Sequence, residues 1–464
     1  SGPYTATLGP NWSPISTTGF PLTSDPYGNL PEQVWIDGVA QKQIADGATP
    51  SAGQFSVNRS AHTITLGTSP SGKEVRVADL NNALTVSAQI ELYGIGIRRY
   101  SPVVQEGLSA LVYFGGTSQD SVVENCVFQD SGMVGINTAR AITLRNITVQ
   151  DCGNTGIQVT TANNFRMDRF VIRRCNRGLW RAQPHTAGIK VTRTEGLIAK
   201  DGLISDVPGA MGFWLDVSVT KSYALNISVD GATTMPGAPI MELGLHSELS
   251  DGGYYGGVQH YSWYVNCRVK NTKHAVKFLD AGYTNIANCK IESYASVGIY
   301  LQQDGRRNPG GRWEGTNTQG GNTGDPYVVP WVGFGTGIYN NDIGQGGLQV
   351  IAYHDPPSGT PLMLGWDFID RIEGNWFRPA PPGSMVQLGR ADGSRSSYNT
   401  LAALAATPTA VGIRGTKLGT NHQSNSAPSD SVAIELPEEI TNMLGVPRGI
   451  KRVGPILPEP TATF

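Results

Sequence analysis

A short repeat along the chain restricts its possible folds more than any other feature. Cysteines recur in strand-like text at spacings of 26, 23 and 22 residues, between Cys126 and Cys152, Cys152 and Cys175, and Cys267 and Cys289. A glycine often opens a short alternating segment, as in GINT, GIQVT, GIKVT, GFWLD and GIYLQ. Short strands of period two, separated by turns and repeated every 21 to 27 residues, predict an all-β chain built as a parallel β-solenoid.

The composition narrows the classes of partner. A formal net charge of −2 over 464 residues gives no global field that would attract nucleic acid or an anionic membrane, so neither is expected as a partner. No apolar run approaches the roughly 18 residues of a membrane span, and the opening SGPYTATLGP has no signal-peptide pattern. We expect a secreted, extracellular bacterial protein whose signal peptide is absent from this sequence, with homo-oligomer formation left open.

The cysteines and the other motifs favour structural over metal or cofactor roles. The five cysteines share similar strand-like contexts, so we interpret them as buried thiols that act as small apolar side chains. The sequence has no HExxH, paired CxxC, Walker or GxSxG motif, and we expect no metal and no cofactor. Asn146 and Asn226 fall at a repeated coil position, where a turn or stacking role is favoured over glycosylation.

The chain divides into three parts by pattern. Residues 1–82 contain the pair GQFSVNRS and HTITLGTS, which predicts a hairpin in a small N-terminal β cap. Residues 83–399 carry the repeats and form the predicted catalytic β-helix. Residues 400–464 are rich in Ala, Thr, Ser and Pro and contain one helix candidate, LPEEITNML, so we expect an extended covering segment.

Two acidic residues stand in similar strand-like settings. Aligning GIKVT, GFWLD and PIMEL places Asp216 and Glu242 on the outward face of adjacent coils. Parallel strands lie about 4.8 Å apart, so the two carboxyl groups are expected roughly 5 to 6 Å from each other. Repulsion between them would raise one pKa, leaving a carboxylate beside a protonated acid, which is the pair that a retaining glycosidase uses.

Aromatic and polar residues surround this predicted pair. Three turns carry extra residues, before 188, after 243 and after 302, and we expect all three to form a wall at one side of a carbohydrate-binding groove. The candidate substrate-binding residues on the groove strands and in these loops are Lys190, Trp214, Trp180, His185, His246, Glu248, His260, Lys277, Tyr300, Gln302 and Trp313.

The stretch GFWLD, followed about one coil later by a strand of two apolar residues and Glu, resembles a known family. It is similar to the right-handed parallel β-helix glycoside hydrolases of the β-xylosidase type and their bacterial relatives, as are AGIKVTRTEG, QVWIDG and the N-terminal hairpin, over roughly residues 30–300. The resemblance implies action on a cell-wall or plant polysaccharide or oligosaccharide, with Asp216 as nucleophile and Glu242 as acid/base. Glu248, six residues further on, is a second candidate for the acid.

Two other functions fit the same scaffold. A polysaccharide lyase or epimerase would use a lysine as base, and Lys190 and Lys277 lie on the predicted groove face with Asp280 near. A non-catalytic glycan-binding module of the tail-spike type would also present aromatic loops on a β-solenoid. The paired acids favour the hydrolase over both.

Overall fold

The structure, a computed structural model, is almost entirely β. It describes residues 3–8, 32–78, 80–100, 110–255, 258–304, 306, 332–355, 364–379, 385–390, 392–407, 411–412, 415–425 and 429–461. The helices among these are Ala182–His185, Leu401–Ala405 and Glu438–Leu444, with 3₁₀ turns at Gly365–Asp367 and Asp430–Val432. None of these helices is long and apolar enough to cross a membrane.

Two long sheets confirm the predicted parallel β-helix. Sheet A pairs one strand from each coil, and all its pairs are parallel except the last, in which Arg395–Tyr398 runs antiparallel. Its strands are Leu84–Val86, Val112–Phe114, Ile136–Thr138, Ile157–Thr160, Ala187–Thr192, Met211–Asp216, Met241–Glu248, Thr272–Leu279, Val297–Gln303, Leu348–His354, Val386–Gly389 and Arg395–Tyr398.

Sheet B forms the rest of each coil. It has 17 strands, all paired in parallel. They are Glu91–Tyr93, Gly96–Tyr100, Val122–Glu124, Val127–Ser131, Thr143–Gln150, Arg166–Arg173, Ile198–Ser205, Tyr223–Asp230, Ser262–Val265, Arg268–Lys270, Thr284–Ala287, Lys290–Ile291, Thr336–Tyr339, Asp342–Ile343, Ile369–Glu373, Trp376–Phe377 and His422–Gln423.

A column of residues with left-handed backbone conformation turns each coil within sheet B. Asn125, Asn146, Asn226 and Asn266 all have φ between 48° and 59°. Asparagine tolerates this conformation better than most residues, and its side chain can bond along the stack. Asn146 donates to Asn125, and Asn266 donates to the Asn226 side-chain oxygen at 2.7 Å. The predicted turn and stacking role of Asn146 and Asn226 is confirmed.

The interior between the sheets is packed with apolar side chains from every coil. All five cysteines are buried and free, which confirms their interpretation as structural thiols. The Cys175 thiol and burial raise the pKa of Cys152, and burial and the Cys267 thiol raise the pKa of Cys289. Both thiols therefore stay uncharged inside the core.

A column of glycines fixes how sheet A stacks. A Cβ atom added to Gly156, Gly188 or Gly212 would lie 2.6 to 2.8 Å from the carbonyl oxygen of the residue at the same position in the next coil. The same holds for Gly244, whose added Cβ would lie 2.6 Å from the Ala275 carbonyl oxygen. Only a residue without a side chain permits this approach, which explains why glycine opens the repeat.

The N-terminal and C-terminal parts pack on the solenoid. The predicted hairpin is present as Gln54–Asn58 and Thr63–Leu66. The boundaries between the three parts, 1–82, 83–399 and 400–464, stay a prediction. The other strands outside sheets A and B are Tyr4–Thr7, Val34–Ile36, Val39–Ala40, Lys42–Gln43 and Val75–Val77, and the small pairs Tyr254–Tyr255 with Val258–Gln259 and Val411–Gly412 with Gly415–Thr416.

The C-terminal segment runs along the outside of sheet B. Its helix Glu438–Leu444 coincides with the predicted LPEEITNML and packs Ile440 and Leu444 against Tyr223 and Trp263. The Asn266 side-chain oxygen accepts from the Leu457 amide at 2.9 Å. The covering role predicted for this segment agrees with these contacts.

The glycine column gives a first test. Gly212→Ala should lower the free energy of unfolding by about 1 to 3 kcal/mol, because its Cβ would overlap the Gly244 carbonyl. Gly96→Ala is the matched control, since the nearest atom to a Cβ at Gly96 is 4.0 Å away. Chemical denaturation of both variants checks this, and equal stability of the two would contradict the steric explanation.

Candidate active site

The register of sheet A pairs Asp216 with Glu248 on adjacent coils. The predicted pairing of Asp216 with Glu242 was therefore wrong by six residues. Glu242 instead lies at the start of its strand, where its partly exposed carboxylate forms an ion pair with Lys273 at 2.8 Å. The catalytic assignment of Glu242 thus lacks the geometry on which it was based, and Glu248 takes its position.

The repeat itself contained the correct register. GLHSE at 244–248 has the same initial glycine as GFWLD at 212–216, and the structure aligns the two stretches residue by residue. The inward position of this strand holds Ser247 where the preceding coil has Leu215, so the expected apolar alternation is broken. The Ser247 hydroxyl lies 2.8 Å from the buried Tyr264 hydroxyl, which satisfies it within the core.

Asp216 is held by a buried lysine. The Lys190 ammonium lies 2.8 Å from Asp216 Oδ2 and 3.6 Å above the centre of the Trp214 ring, and it donates to the Pro184 carbonyl. Lys190 is 4% exposed and Asp216 7% exposed, so this charge pair is largely removed from water. Lys190 is thereby committed to neutralising Asp216.

Glu248 is held by Arg306 and His246. Arg306 donates to Glu248 Oε1 at 2.6 Å, and His246 Nε2 lies 3.1 Å from Oε2. His246 Nδ1 lies 2.9 Å from the Lys277 carbonyl oxygen, so both ring nitrogens face acceptors. Because a carbonyl oxygen can only accept, His246 Nδ1–H donates to Lys277, and Nε2 faces the Glu248 carboxyl group. The His246 ring also stacks on Trp214, at a centroid distance of 5.8 Å.

The surroundings shift the pKa values of the two carboxyl groups in opposite directions. Burial raises the pKa of Asp216, and the nearby Lys190 ammonium only partly offsets this effect. Burial also acts to raise the pKa of Glu248, but the hydrogen bonds and charges of His246 and Arg306 outweigh it and lower the pKa to about 2. A proton shared by this pair therefore favours Asp216.

Arg306 connects Glu248 to a second acidic pair. Its guanidinium lies 3.2 Å from Asp280 Oδ2 and 2.8 Å from Asp304 Oδ2. Asp280 is fully buried, and its Oδ1 accepts from the Gln303 amide at 2.5 Å and the Asp304 backbone amide at 2.7 Å. Burial, together with Asp304, raises the pKa of Asp280 to about 8.

The register brings several other predicted residues to the outer face of sheet A. One column runs through Lys190, Trp214, His246, Lys277 and Tyr300, as expected for all of these except His246, which was expected in a loop. Gln302 follows Asp216 and Glu248 in the neighbouring column. The sequence did not single out the contacts of Arg306, because its partners are far apart in the chain.

The three turns predicted to form one wall begin at opposite ends of the sheet A strands. The turn with His185 precedes its strand, whereas the segments after Glu248 and Gln303 follow theirs. Because the strands are parallel, one turn joins sheet A at the N-terminal ends of the strands and the other two leave it at the C-terminal ends, so the prediction that all three emerge on one side was wrong. The Lys190 contact with Pro184 brings the turn that contains His185 close to Asp216.

Two candidates, Trp180 and His260, lie away from the carboxyl pair. Trp180 packs on Met133 and Val134 and lines a separate cavity of about 560 Å³ near the N-terminal strands. The charged neighbours of His260 are Lys221 and Glu439, beside the C-terminal helix, and burial lowers its pKa. Trp313 lies outside the described residues.

Among the residues that the structure describes, no three His, Cys, Asp or Glu side chains group in a way that could hold a metal ion.

Comparisons with known proteins support the fold. No protein-family model matches this chain, and no curated protein matches it in sequence. A structure of XylC in complex with xylose is similar, with a TM-score of 0.54 and 12% sequence identity over 75% of this chain and 63% of that chain. This chain thus spans less than two thirds of XylC. The catalytic domain of the GH87 α-1,3-glucanase in complex with nigerose gives a TM-score of 0.22 at 9% identity, over 85% of this chain and 81% of that chain, which is too weak to support an argument.

The buried Asp280 gives a test of the site's electrostatics. Its pKa of about 8 when folded exceeds the roughly 3.9 expected when unfolded, so between these values the unfolded chain releases a proton that the folded chain keeps. The contribution of Asp280 to the free energy of unfolding is fully present below about pH 4 and is lost as the pH rises through about 8. Asp280→Asn should therefore gain in Tm relative to wild type as the pH rises from about 4 to 8. Thermal unfolding at several pH values measures this, and a pH-independent difference would contradict the assignment.

Proposed function

We propose that the chain is a glycoside hydrolase that cleaves a polysaccharide or oligosaccharide on the outer face of sheet A. Asp216 and Glu248 are the reacting carboxyl groups. The observation that carries the proposal is their direct pairing on adjacent coils, with each carboxyl held by its own cationic partner. Buried acidic pairs with divergent pKa values are typical of catalytic carboxyls.

The spacing of the coils favours retention of configuration. Adjacent parallel strands are about 4.8 Å apart, which suggests a separation of roughly 5 to 6 Å between the two carboxyl groups. That range leaves no room for the water molecule that an inverting enzyme places between its general-base carboxylate and the anomeric carbon. A covalent intermediate on one carboxylate follows from this geometry.

The electrostatics assign the roles in reverse of those implied by the family resemblance. Glu248, ionised by Arg306 and His246, attacks the anomeric carbon while Asp216 gives its proton to the departing oxygen. The bond between the anomeric carbon and that oxygen breaks, and Lys190 stabilises the new Asp216 carboxylate. Asp216 then takes a proton from water, whose oxygen displaces Glu248 from the anomeric carbon.

Carbohydrate is the substrate class that best fits the surroundings. Tyr300 lies in the outer-face column of Lys190 and Trp214, and its hydroxyl is 2.6 Å from that of Tyr353. Gln302 lies in the neighbouring column, which contains Asp216 and Glu248. Aromatic faces and amide groups suit the apolar and hydroxyl faces of sugar rings. The fold similarity to XylC, whose structure contains xylose, and the family resemblance agree with a cell-wall or plant glycan and with a secreted enzyme.

A lyase would need a lysine that can accept a proton. Lys190 is engaged by Asp216, Pro184 and Trp214, so it is poorly suited to act as a base. Lys277 is the remaining candidate, because burial lowers its pKa. A lyase would yield unsaturated uronates instead of new hydrated reducing ends, so the two functions give different products.

Substitution of the paired carboxyls tests the hydrolase. Glu248→Gln and Asp216→Asn should each reduce release of reducing ends from cell-wall polysaccharides by about 10²-fold or more, because nucleophile and proton donor are lost. Glu242→Gln is the matched control and should retain activity, since Glu242 pairs with Lys273 away from the site.

Three results would overturn the proposal. Ultraviolet absorbance of unsaturated uronates that disappears in Lys277→Met would indicate a lyase. Glycan binding without products would indicate a binding module. Loss of activity in Glu242→Gln with full activity in Glu248→Gln would restore the pairing first predicted.

Trapping of the covalent intermediate with a 2-fluoro glycoside, followed by peptide mass spectrometry, should label Glu248. A label on Asp216 instead would reverse the roles of the two carboxyl groups.

The pH profile tests the assignment of the proton donor. The donor form of Asp216 is lost as the pH rises through its raised pKa, so kcat/KM should fall on the alkaline side. Glu248, with a pKa of about 2, stays ionised and adds no acid limb until the pH approaches that value. Lys190→Met removes a cation from Asp216 and should move the alkaline limb to higher pH, whereas an unchanged limb would exclude Asp216 as the donor.

A further inference from the structure

Lys277 occupies a central place on the outer face of sheet A. It lies between His246 and Tyr300 in one column, one coil beyond the Glu248 strand. Its ammonium is 4.8 Å from the centre of the Tyr300 ring. The side chain is half-buried, so part of its hydration is lost.

The other cations around the site are matched by carboxylates. Lys190 pairs with Asp216, Arg306 pairs with Glu248, and Lys273 on the same strand as Lys277 pairs with Glu242. Among the described residues, the Lys277 ammonium forms no ion pair and no hydrogen bond, and it lies over the face of the Tyr300 ring. A half-buried ammonium with no hydrogen-bond acceptor among these residues is costly to hold, so an acceptor supplied by a ligand would stabilise it.

We propose that Lys277 binds the carboxylate of a uronic acid residue in the substrate, next to the bond that Asp216 and Glu248 cleave. This inference rests on the proposed glycoside hydrolase function and names its substrate class. The bound carboxylate would supply a direct hydrogen-bond acceptor for the Lys277 ammonium, which the described residues do not provide. It would also offset repulsion between an anionic sugar and the acidic residues of the site, which a neutral sugar does not experience.

The electrostatic surroundings agree with this role. Burial lowers the pKa of Lys277, and Arg306 acts in the same direction, while Glu248, Asp280 and Asp304 act against them. An anionic ligand beside the ammonium would favour its charged form. Binding of a uronate should therefore become weaker as the pH rises and Lys277 loses its proton.

Direct binding is the primary test. Calorimetric titration compares D-glucuronate with D-glucose, and D-galacturonate with D-galactose, because each pair differs at C6 alone. At least one uronate should bind wild type about tenfold or more tightly than its neutral partner, as expected for one charge-assisted hydrogen bond. Lys277→Met, which keeps most of the apolar stem over Tyr300, should lose this preference.

Lys273→Met is the matched control. It removes a lysine from the same strand, but one that pairs with Glu242 outside the site, so the uronate preference should remain. Equal affinity for uronate and neutral sugar, no binding of any of these sugars, or a preference that survives Lys277→Met would overturn the inference. Thermal unfolding of both variants establishes that they are folded.

A kinetic comparison separates this inference from the proposed function. The ratio of kcat/KM for uronate-bearing over neutral oligosaccharides should fall about tenfold in Lys277→Met and stay unchanged in Lys273→Met. Hydrolysis that depends on Asp216 and Glu248 without a uronate preference would reject the inference and leave the hydrolase. Uronate binding through Lys277 without any hydrolysis would reject the hydrolase and leave the binding site.

Discussion

The close stacking of backbone at the glycine column is the constraint on which the rest of this structure depends. Each glycine lets the next coil approach so closely that its carbonyl oxygen occupies the space of a Cβ atom. With that contact fixed, a shift of one residue would move every outward side chain into the core. The pairing of Gly212 with Gly244 therefore determines that Asp216 meets Glu248 and that Trp214 meets His246.

Charge pairing allows such a face to be buried. Isolated charges are expensive to remove from water, yet Asp216, Lys190 and Glu248 are all less than a tenth exposed. Each is compensated by an opposite charge within 3 Å, and the Trp214 ring supports Lys190 from one side. The two carboxyl groups differ because Arg306 and His246 both contact Glu248, whereas Lys190 alone pairs with Asp216. This difference, more than proximity, gives the pair its divided roles in the proposed reaction.

The repeat, the parallel coils, the buried cysteines and the C-terminal helix could be predicted from the sequence, because each depends on a local pattern that recurs. The partner of Asp216 was missed although the glycine of GLHSE marked the correct register, because the alternation that signals a strand fails at Ser247, a polar residue satisfied by Tyr264 in the core. The bonds of Arg306 were equally hidden, because they join Glu248 and Asp280 across large separations in the chain. Local patterns identify strands, whereas ion pairs between coils depend on the completed stack.

Side chains alternate between inward and outward positions in both sheets, but the outward residues differ in chemistry between sheet A and sheet B. On sheet B, outward apolar residues such as Tyr223 and Trp263 are covered by the C-terminal helix, and the turn asparagines bind the backbone that follows it. On sheet A, the corresponding outward positions carry charges and aromatic rings instead, which no apolar segment could cover at low cost. The chain's own C-terminal segment thus covers part of sheet B, whereas the register of sheet A places Asp216, Glu248 and Lys277 on the other surface, where we propose that the substrate binds.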